Sequence, residues 1–256
     1  MEQAEATFDS NAPVALVTGG ARGLGLACAQ RLASDGFRIA LVDLDEQALR
    51  SALDQLPGGG GLHAYAGADV TRTGQVREAV DDVCARLGPP SALINAAGIL
   101  RSTRFLDISE AEWDAVMDVS VKGTFAACQA CIPMMRAAAH GRIVNFSSTA
   151  GKSVSTLGGA HYTTAKAALL GLTRALATEM AADGITVNAV CPGLFDTEMV
   201  RQTIDPVTLE GYVRSFPIGR LGHPWEVAAL VAYLCSPQAS YITGAALDIN
   251  GGDLMV

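Results

Sequence analysis

Short apolar runs alternate with helix-patterned stretches along almost the whole chain, and this alternation limits the fold more than any other feature. The runs are Val14–Val17, Arg38–Val42, Leu62–Ala66, Ala92–Ile94, Arg142–Phe146, Ile185–Val190 and Ala245–Ile249. Between them, 24–34, 45–54, 72–87, 110–138, 160–182 and 224–235 carry helical periodicity. The runs are apolar nearly throughout rather than at alternate positions, so they are expected to be buried on both faces. Strands of that kind, separated by helices, join through βαβ crossovers into a parallel sheet covered on both sides. The expectation is an α/β fold with one doubly wound parallel sheet of about seven strands. With 256 residues, half of them apolar, the chain suits one domain, predicted over 12–256. Residues 1–11 read as a short disordered leader. Segment 194–222 lacks a strand pattern and is expected to form one or two short helices acting as a lid.

Composition narrows the function classes. The formal net charge of -8 repels phosphate backbones, so no nucleic-acid partner is expected. No apolar run reaches the roughly 18 residues of a spanning helix, and the N-terminus has no basic segment of the signal-peptide type. A cytoplasmic protein with no membrane partner is therefore expected. The six cysteines are scattered. Cys128 and Cys131 have a CxxC spacing but fall inside a helical stretch without a second pair, so they read as buried apolar residues. No set of His, Cys, Asp and Glu has ligand spacing, and no metal is expected.

Two segments carry chemistry. Thr18-Gly19-Gly20-Ala21-Arg22-Gly23-Leu24-Gly25 joins the first strand to the first helix. Glycines let the backbone turn tightly and approach a pyrophosphate, and the helix N-terminus behind them offers free N–H groups. Tyr162 and Lys166 are four apart at the start of a predicted helix, hence on one face. A free tyrosine, with a pKa of about 10, is a poor base at neutral pH. A neighbouring ammonium is expected to lower that pKa and make the phenol an acid/base.

The spacing GxxxGxG, followed by YxxxK, resembles the short-chain dehydrogenase/reductase family over about residues 13–252. The resemblance implies a Rossmann-like sheet and a nicotinamide dinucleotide held by Gly19, Arg22, Gly23, Leu24 and Gly25. Asp43, 18 positions after Gly25 at the end of the second strand, would accept from the adenosine ribose hydroxyls and repel a 2′-phosphate, which favours NAD over NADP. Arg22 leaves a phosphate contact open. Asp69 and Val70 would meet the adenine. Asn95-Ala96-Ala97-Gly98 resembles the family's NNAG turn, so Asn95, Ala96 and Gly98 would lie against the adenosine. Pro192-Gly193-Leu194-Phe195-Asp196-Thr197 resembles its PGxxxT segment, where Thr197 would bond the carboxamide and Pro192 and Gly193 would also border the cofactor.

The resemblance also implies a catalytic serine at the end of the fifth strand. Ser148, 14 positions before Tyr162, is preferred over Ser147. Lys166 would contact the nicotinamide ribose, as would Tyr162. One residue departs from the family pattern: Ser120 occupies the position of an asparagine that helps hold a water chain to the lysine. A short hydroxyl can both donate and accept there, and the main chain is expected to keep the water.

The implied activity is hydride transfer between NAD(H) and a small secondary alcohol or its ketone. Alternatives are a 3-oxoacyl-[acyl-carrier-protein] reductase and a catalytically silent dinucleotide-binding protein. In an enoyl reductase the Tyr and Lys are further apart. Candidate substrate walls are Leu100, Val154, Leu157, Leu194, Phe195, Met199 and Phe216, with Arg101, Arg104, Lys152 and Arg201 able to reach an anionic group. Ala-rich faces on the helices at 110–138 and 160–182, with the family's four-helix interface, imply a homotetramer.

Overall fold

The computed structural model describes residues 12–59 and 61–256; the leader predicted at 1–11 lies outside them. Seven strands, β1 (Val14–Thr18), β2 (Arg38–Asp43), β3 (Ala64–Gly67), β4 (Pro90–Asn95), β5 (Gly141–Phe146), β6 (Ile185–Pro192) and β7 (Ala246–Ile249), form one sheet in the order β3-β2-β1-β4-β5-β6-β7. Every pairing is parallel. Helices α1 (Gly23–Ser34), α2 (Glu46–Leu53), α3 (Thr73–Leu87), α4 (Glu110–Met117), α5 (Gly123–Ala137), α6 (Ala160–Met180), α7 (Glu198–Thr203), α8 (Pro206–Ser215) and α9 (Pro224–Cys235) surround it.

The period of two along β1 divides the core. Ala15 and Val17 enter a cluster with α1, α2 and α9, while Val14 and Leu16 enter another with α3, α5 and α6. Both faces are thereby covered, which is why β1 is buried along its whole length. The strand order reverses between β1 and β4. In such sheets a crevice opens there beyond the strand carboxyl ends, and ligands bind in it. Register aligns that rim, because Thr18 pairs with Asn95 and Asn95 with Asn145.

Several sequence expectations are corrected. The helix expected over 110–138 is interrupted by one π turn at Asp118–Lys122. On the two Ala-rich helices, Ala126 and Ala127 pack in the subunit's own core, whereas Ala167 and Ala175 are exposed. Segment 194–222 holds two short helices, α7 and α8, and its base is closed by a bridge between Phe195 and Gly222. Among the described residues no helix is long and apolar enough to cross a membrane. All six cysteines are free thiols. Burial raises the pKa of Cys128 and Cys235 to about 12, so both stay protonated and apolar.

Candidate active site

The glycines after β1 are set by close approach. Gly19 has φ +67°, and a Cβ on it would lie 2.7 Å from the Ala97 backbone. A Cβ on Gly25 would lie 2.1 Å from the Gly19 carbonyl oxygen. Gly23 has φ +56° and open space in front of it. Arg22, the N-cap of α1, makes no side-chain capping bond, and the first turn of α1 holds no acidic residue. The leading N–H groups of α1 are thus left for an anion. A tight backbone cradle ending in unsatisfied donors fits the pyrophosphate of a dinucleotide.

Asp43 closes β2 facing this turn. Its carboxylate accepts from the Ala21 N–H at 3.2 Å and the Leu44 N–H at 2.8 Å. Arg22 donates to Asp45 at 2.6 Å, so its charge already has a partner across the turn. Asp69 accepts from the backbone and hydroxyl of Thr71 at 2.9 and 2.8 Å, and these bonds hold its carboxyl below the usual range. Val70 is buried beside it, its side chain packed where a Cβ on Gly123 would sit.

At the carboxyl ends of β4 and β5 the chemistry-bearing groups gather. Asn95 is buried and donates to Asn145 Oδ1 at 2.9 Å; Asn145 donates in turn to Thr173 at 2.9 Å. The Asn95 side chain therefore braces β4 against β5, leaving the main chain of Ala96 and Gly98 to border the crevice. The adjacent serines differ in their partners: the Ser147 hydroxyl is buried and donates to the Lys166 carbonyl at 2.7 Å. Ser148, half-buried, accepts the Ala150 N–H at 3.2 Å, and its hydroxyl works against the upward pull of burial on the Tyr162 phenol.

Burial is the larger influence, so Tyr162 sits above its ordinary value. This corrects the expectation that the neighbouring ammonium would lower it. Lys166 Nζ lies 5.7 Å from the Tyr162 ring centroid and donates to the Phe146 carbonyl at 2.7 Å. Burial brings the Lys166 pKa down to about 8, which still leaves an ammonium at neutral pH. A Cβ on Gly98 would stand 3.4 Å from Lys166 Nζ and 3.9 Å from Ser120 Oγ, placing all three around one point. Ser120 lies in the π turn, fully buried, with no protein partner for its hydroxyl; its carbonyl accepts from Thr124 at 2.7 Å. The ladder is thus locally widened where the sequence departs from the family pattern.

The walls divide. Beyond β4, β5 and β6, Leu100, Leu157 and Leu194 are half-buried on loops, and Val154, on a loop, and Met199, in α7, are exposed. Phe195 and Phe216 are buried, Phe195 with its ring against Gly222 and, with Leu194, lining a cavity closed by Ile218 and Asn250. Lys152 and Arg201 are committed elsewhere, to Asp248 at 2.7 Å and Asp196 at 2.6 Å. Pro192 is buried where β6 pairs with Ile249, and a Cβ on Gly193 would meet Asn250. Thr197 caps α7 through Val200 N–H at 3.4 Å.

Three contributors were not singled out from sequence. Gly158 packs on the Tyr162 ring, and a Cβ there would fall 2.6 Å from it. His161 and Glu112 meet at 2.8 Å beside Tyr162. Nothing in local spacing marks a pair 49 positions apart.

Comparison with known proteins agrees with this geometry. The family profile described as Enoyl-(Acyl carrier protein) reductase matches residues 19–253. An acetoacetyl-CoA reductase of Shinella zoogloeoides is 40% identical over 243 residues, spanning 95% of this chain and 99% of that protein. A (3R)-3-hydroxyacyl-CoA dehydrogenase of Mus musculus is 37% identical over 251 residues, spanning 94% and 96%. The crystal structure of gox2181 superposes with a TM-score of 0.90 at 35% identity, spanning 94% of this chain and 95% of that one. With sheet order, glycine cradle and Ser–Tyr–Lys cluster all following one pattern from end to end, the chain belongs to the short-chain dehydrogenase/reductase family.

Proposed function

We propose that the protein is an NAD(H)-dependent oxidoreductase that interconverts a small secondary alcohol and its ketone, with Tyr162 as acid/base. The observation carrying this reading is the meeting of Ser148, Tyr162 and the buried Lys166 ammonium at the rim of β5. The catalytically silent alternative would not need these three groups together. The wide Tyr–Lys spacing of enoyl reductases is absent, since Tyr162 and Lys166 are one helical turn apart.

The dinucleotide would be held by main chain at Gly19, Gly23, Leu24 and Gly25, by Asp43 at the adenosine ribose, by Asp69 and Val70 at the adenine and by Ala96 and Gly98 along the adenosine. Lys166 and Tyr162 would face the nicotinamide ribose, Thr197 the carboxamide, with Pro192 and Gly193 beside it. When bound, it supplies or accepts the hydride. Ser148 donates a hydrogen bond to the substrate oxygen as charge develops on it. Tyr162 gives that oxygen a proton during ketone reduction and takes it back during alcohol oxidation. Lys166 keeps a positive charge beside the phenol, favouring its ionised form whenever the proton leaves. Segment 194–222 would close over the substrate as the lid of a single domain over 12–256.

NAD(H) is preferred on the geometry of Asp43. Two unit charges about 6 Å apart at an effective dielectric of about 20 repel by about 3 kcal/mol, and Arg22 is paired with Asp45 rather than free for a 2′-phosphate. Catalytic efficiency with NAD(H) should exceed that with NADP(H) by at least ~10-fold, a difference of about 1.4 kcal/mol. Asp43→Ala should narrow the gap. Equal efficiency with both cofactors in the wild type would sink the assignment.

A second substrate reading has a specific basis, because the two relatives above are named for 3-oxo- and 3-hydroxyacyl-CoA chemistry. A panel of neutral secondary alcohols and 3-hydroxyacyl thioesters, followed by NADH absorbance, separates the readings. Turnover of the thioesters alone would replace the small-alcohol substrate, and turnover of neither would remove the proposed reaction. The family membership also supports a homotetramer, with exposed Ala167 and Ala175 of α6 in one interface. Light scattering at micromolar concentration should give the mass of four chains; a monomer excludes it.

A further inference from the structure

His161 is fully buried, yet it takes no part in the chemistry above. It is the second residue of α6, whose N-cap is Gly159, a residue with no side chain to cap the helix. The His161 ring does the capping: Nδ1 accepts the backbone N–H of Tyr162 at 3.0 Å. An imidazole nitrogen that accepts carries no proton, so the ring proton is on Nε2. That nitrogen donates to Glu112 Oε1 at 2.8 Å, from the first turn of α4. The Thr103 hydroxyl and the His161 ring hold the Glu112 carboxyl below the usual carboxylate range. The loop after β4 is fastened to the same place. Gly159 N–H donates to the Arg101 carbonyl at 2.8 Å, and a Cβ on Gly159 would strike both the Thr103 carbonyl and the His161 ring.

We propose that His161 and Glu112 form a positioning clip that sets the Tyr162 phenol by fastening the start of α6 to α4 and to the loop at 101–103. The clip touches no reacting atom. It acts through the Tyr162 main chain, and small displacements of a reacting group of about 1 Å cost up to ~100-fold in rate. The proposal rests on Tyr162 being the acid/base.

Glu112 is the variant site that folding tolerates best, because its side chain is about a quarter exposed (26%). Glu112→Ala should lower kcat at saturating cofactor by at least ~10-fold, with the NADH Kd unchanged and the protein still folded by thermal melting. His161→Asn keeps an acceptor for the Tyr162 N–H but cannot reach Glu112, and should fall to a similar level. Glu112→Gln retains the acceptor oxygen and should stay within about threefold of wild type. In a Tyr162→Phe background, Glu112→Ala should cost nothing further, since the group it positions is gone. A kcat within threefold of wild type in folded Glu112→Ala overturns the clip, and so does an equal further loss in the Tyr162→Phe background. A readout free of substrate keeps this separate from the proposed reaction. In ring-labelled tyrosine NMR of the five tyrosines, the Tyr162 resonance, assigned by its loss in Tyr162→Phe, should move in Glu112→Ala. An unmoved resonance overturns the clip even if no alcohol is ever turned over.

Discussion

Tyr162→Phe is expected to lower kcat by at least ~100-fold while the protein stays folded and still binds NADH. The phenol oxygen gives or takes the proton only during reaction, so its loss falls on the transition state far more than on the cofactor complex. Acid/base groups typically contribute 10²–10⁴-fold, and the lower bound corresponds to about 2.7 kcal/mol. The ring that packs on Gly158 and lies near Lys166 is preserved, so folding is not at stake. Steady-state kinetics and fluorescence titration of NADH measure the two quantities. Retention of more than about a tenth of wild-type kcat would remove Tyr162 from the acid/base role.

Gly25→Ala should be the most damaging single change in the cofactor cradle. Alanine in a helix is ordinarily better than glycine by about 1 kcal/mol. Here the added Cβ would stand 2.1 Å from the Gly19 carbonyl oxygen and 2.9 Å from its carbon, and backbone atoms cannot swing aside as a flexible side chain would. The turn must therefore shift away from α1, carrying off the N–H groups aimed at the pyrophosphate. Hydrogen bonds to charged groups are worth about 1.5–3 kcal/mol each, so loss of one or two should raise the NADH Kd by at least ~100-fold, or about 2.7 kcal/mol. A Kd within threefold of wild type in the folded variant would show that the turn does not carry the pyrophosphate.

The two predictions lean on different kinds of legibility. The cradle and the Tyr162–Lys166 pair are local patterns, a few residues long, whose geometry follows from a turn or a helix period. Both can be read directly. The different surroundings of Ser147 and Ser148 cannot, because adjacent hydroxyls look alike until the Lys166 carbonyl claims one of them. The direction of the Tyr162 shift is hidden for a similar reason: charge proximity is visible in the spacing, but the burial that outweighs it is not.

Hydrophobic periodicity determined the sheet and its parallel sense, and the glycine spacing the turn after the first strand, because each is written in neighbouring residues; the strand order, with the crevice where it reverses, is tertiary. Tertiary structure alone decided which groups remain free to act. Lys152 is taken by Asp248, 96 positions away, and Arg22 by Asp45. The π turn at Ser120 and the contact of His161 with Glu112 are likewise products of packing. A periodic pattern says which face of an element is buried, but the partner met on that face is set by elements brought together from elsewhere in the chain. Hydrogen bonds and desolvation act over a few ångströms of space, whatever the separation in sequence.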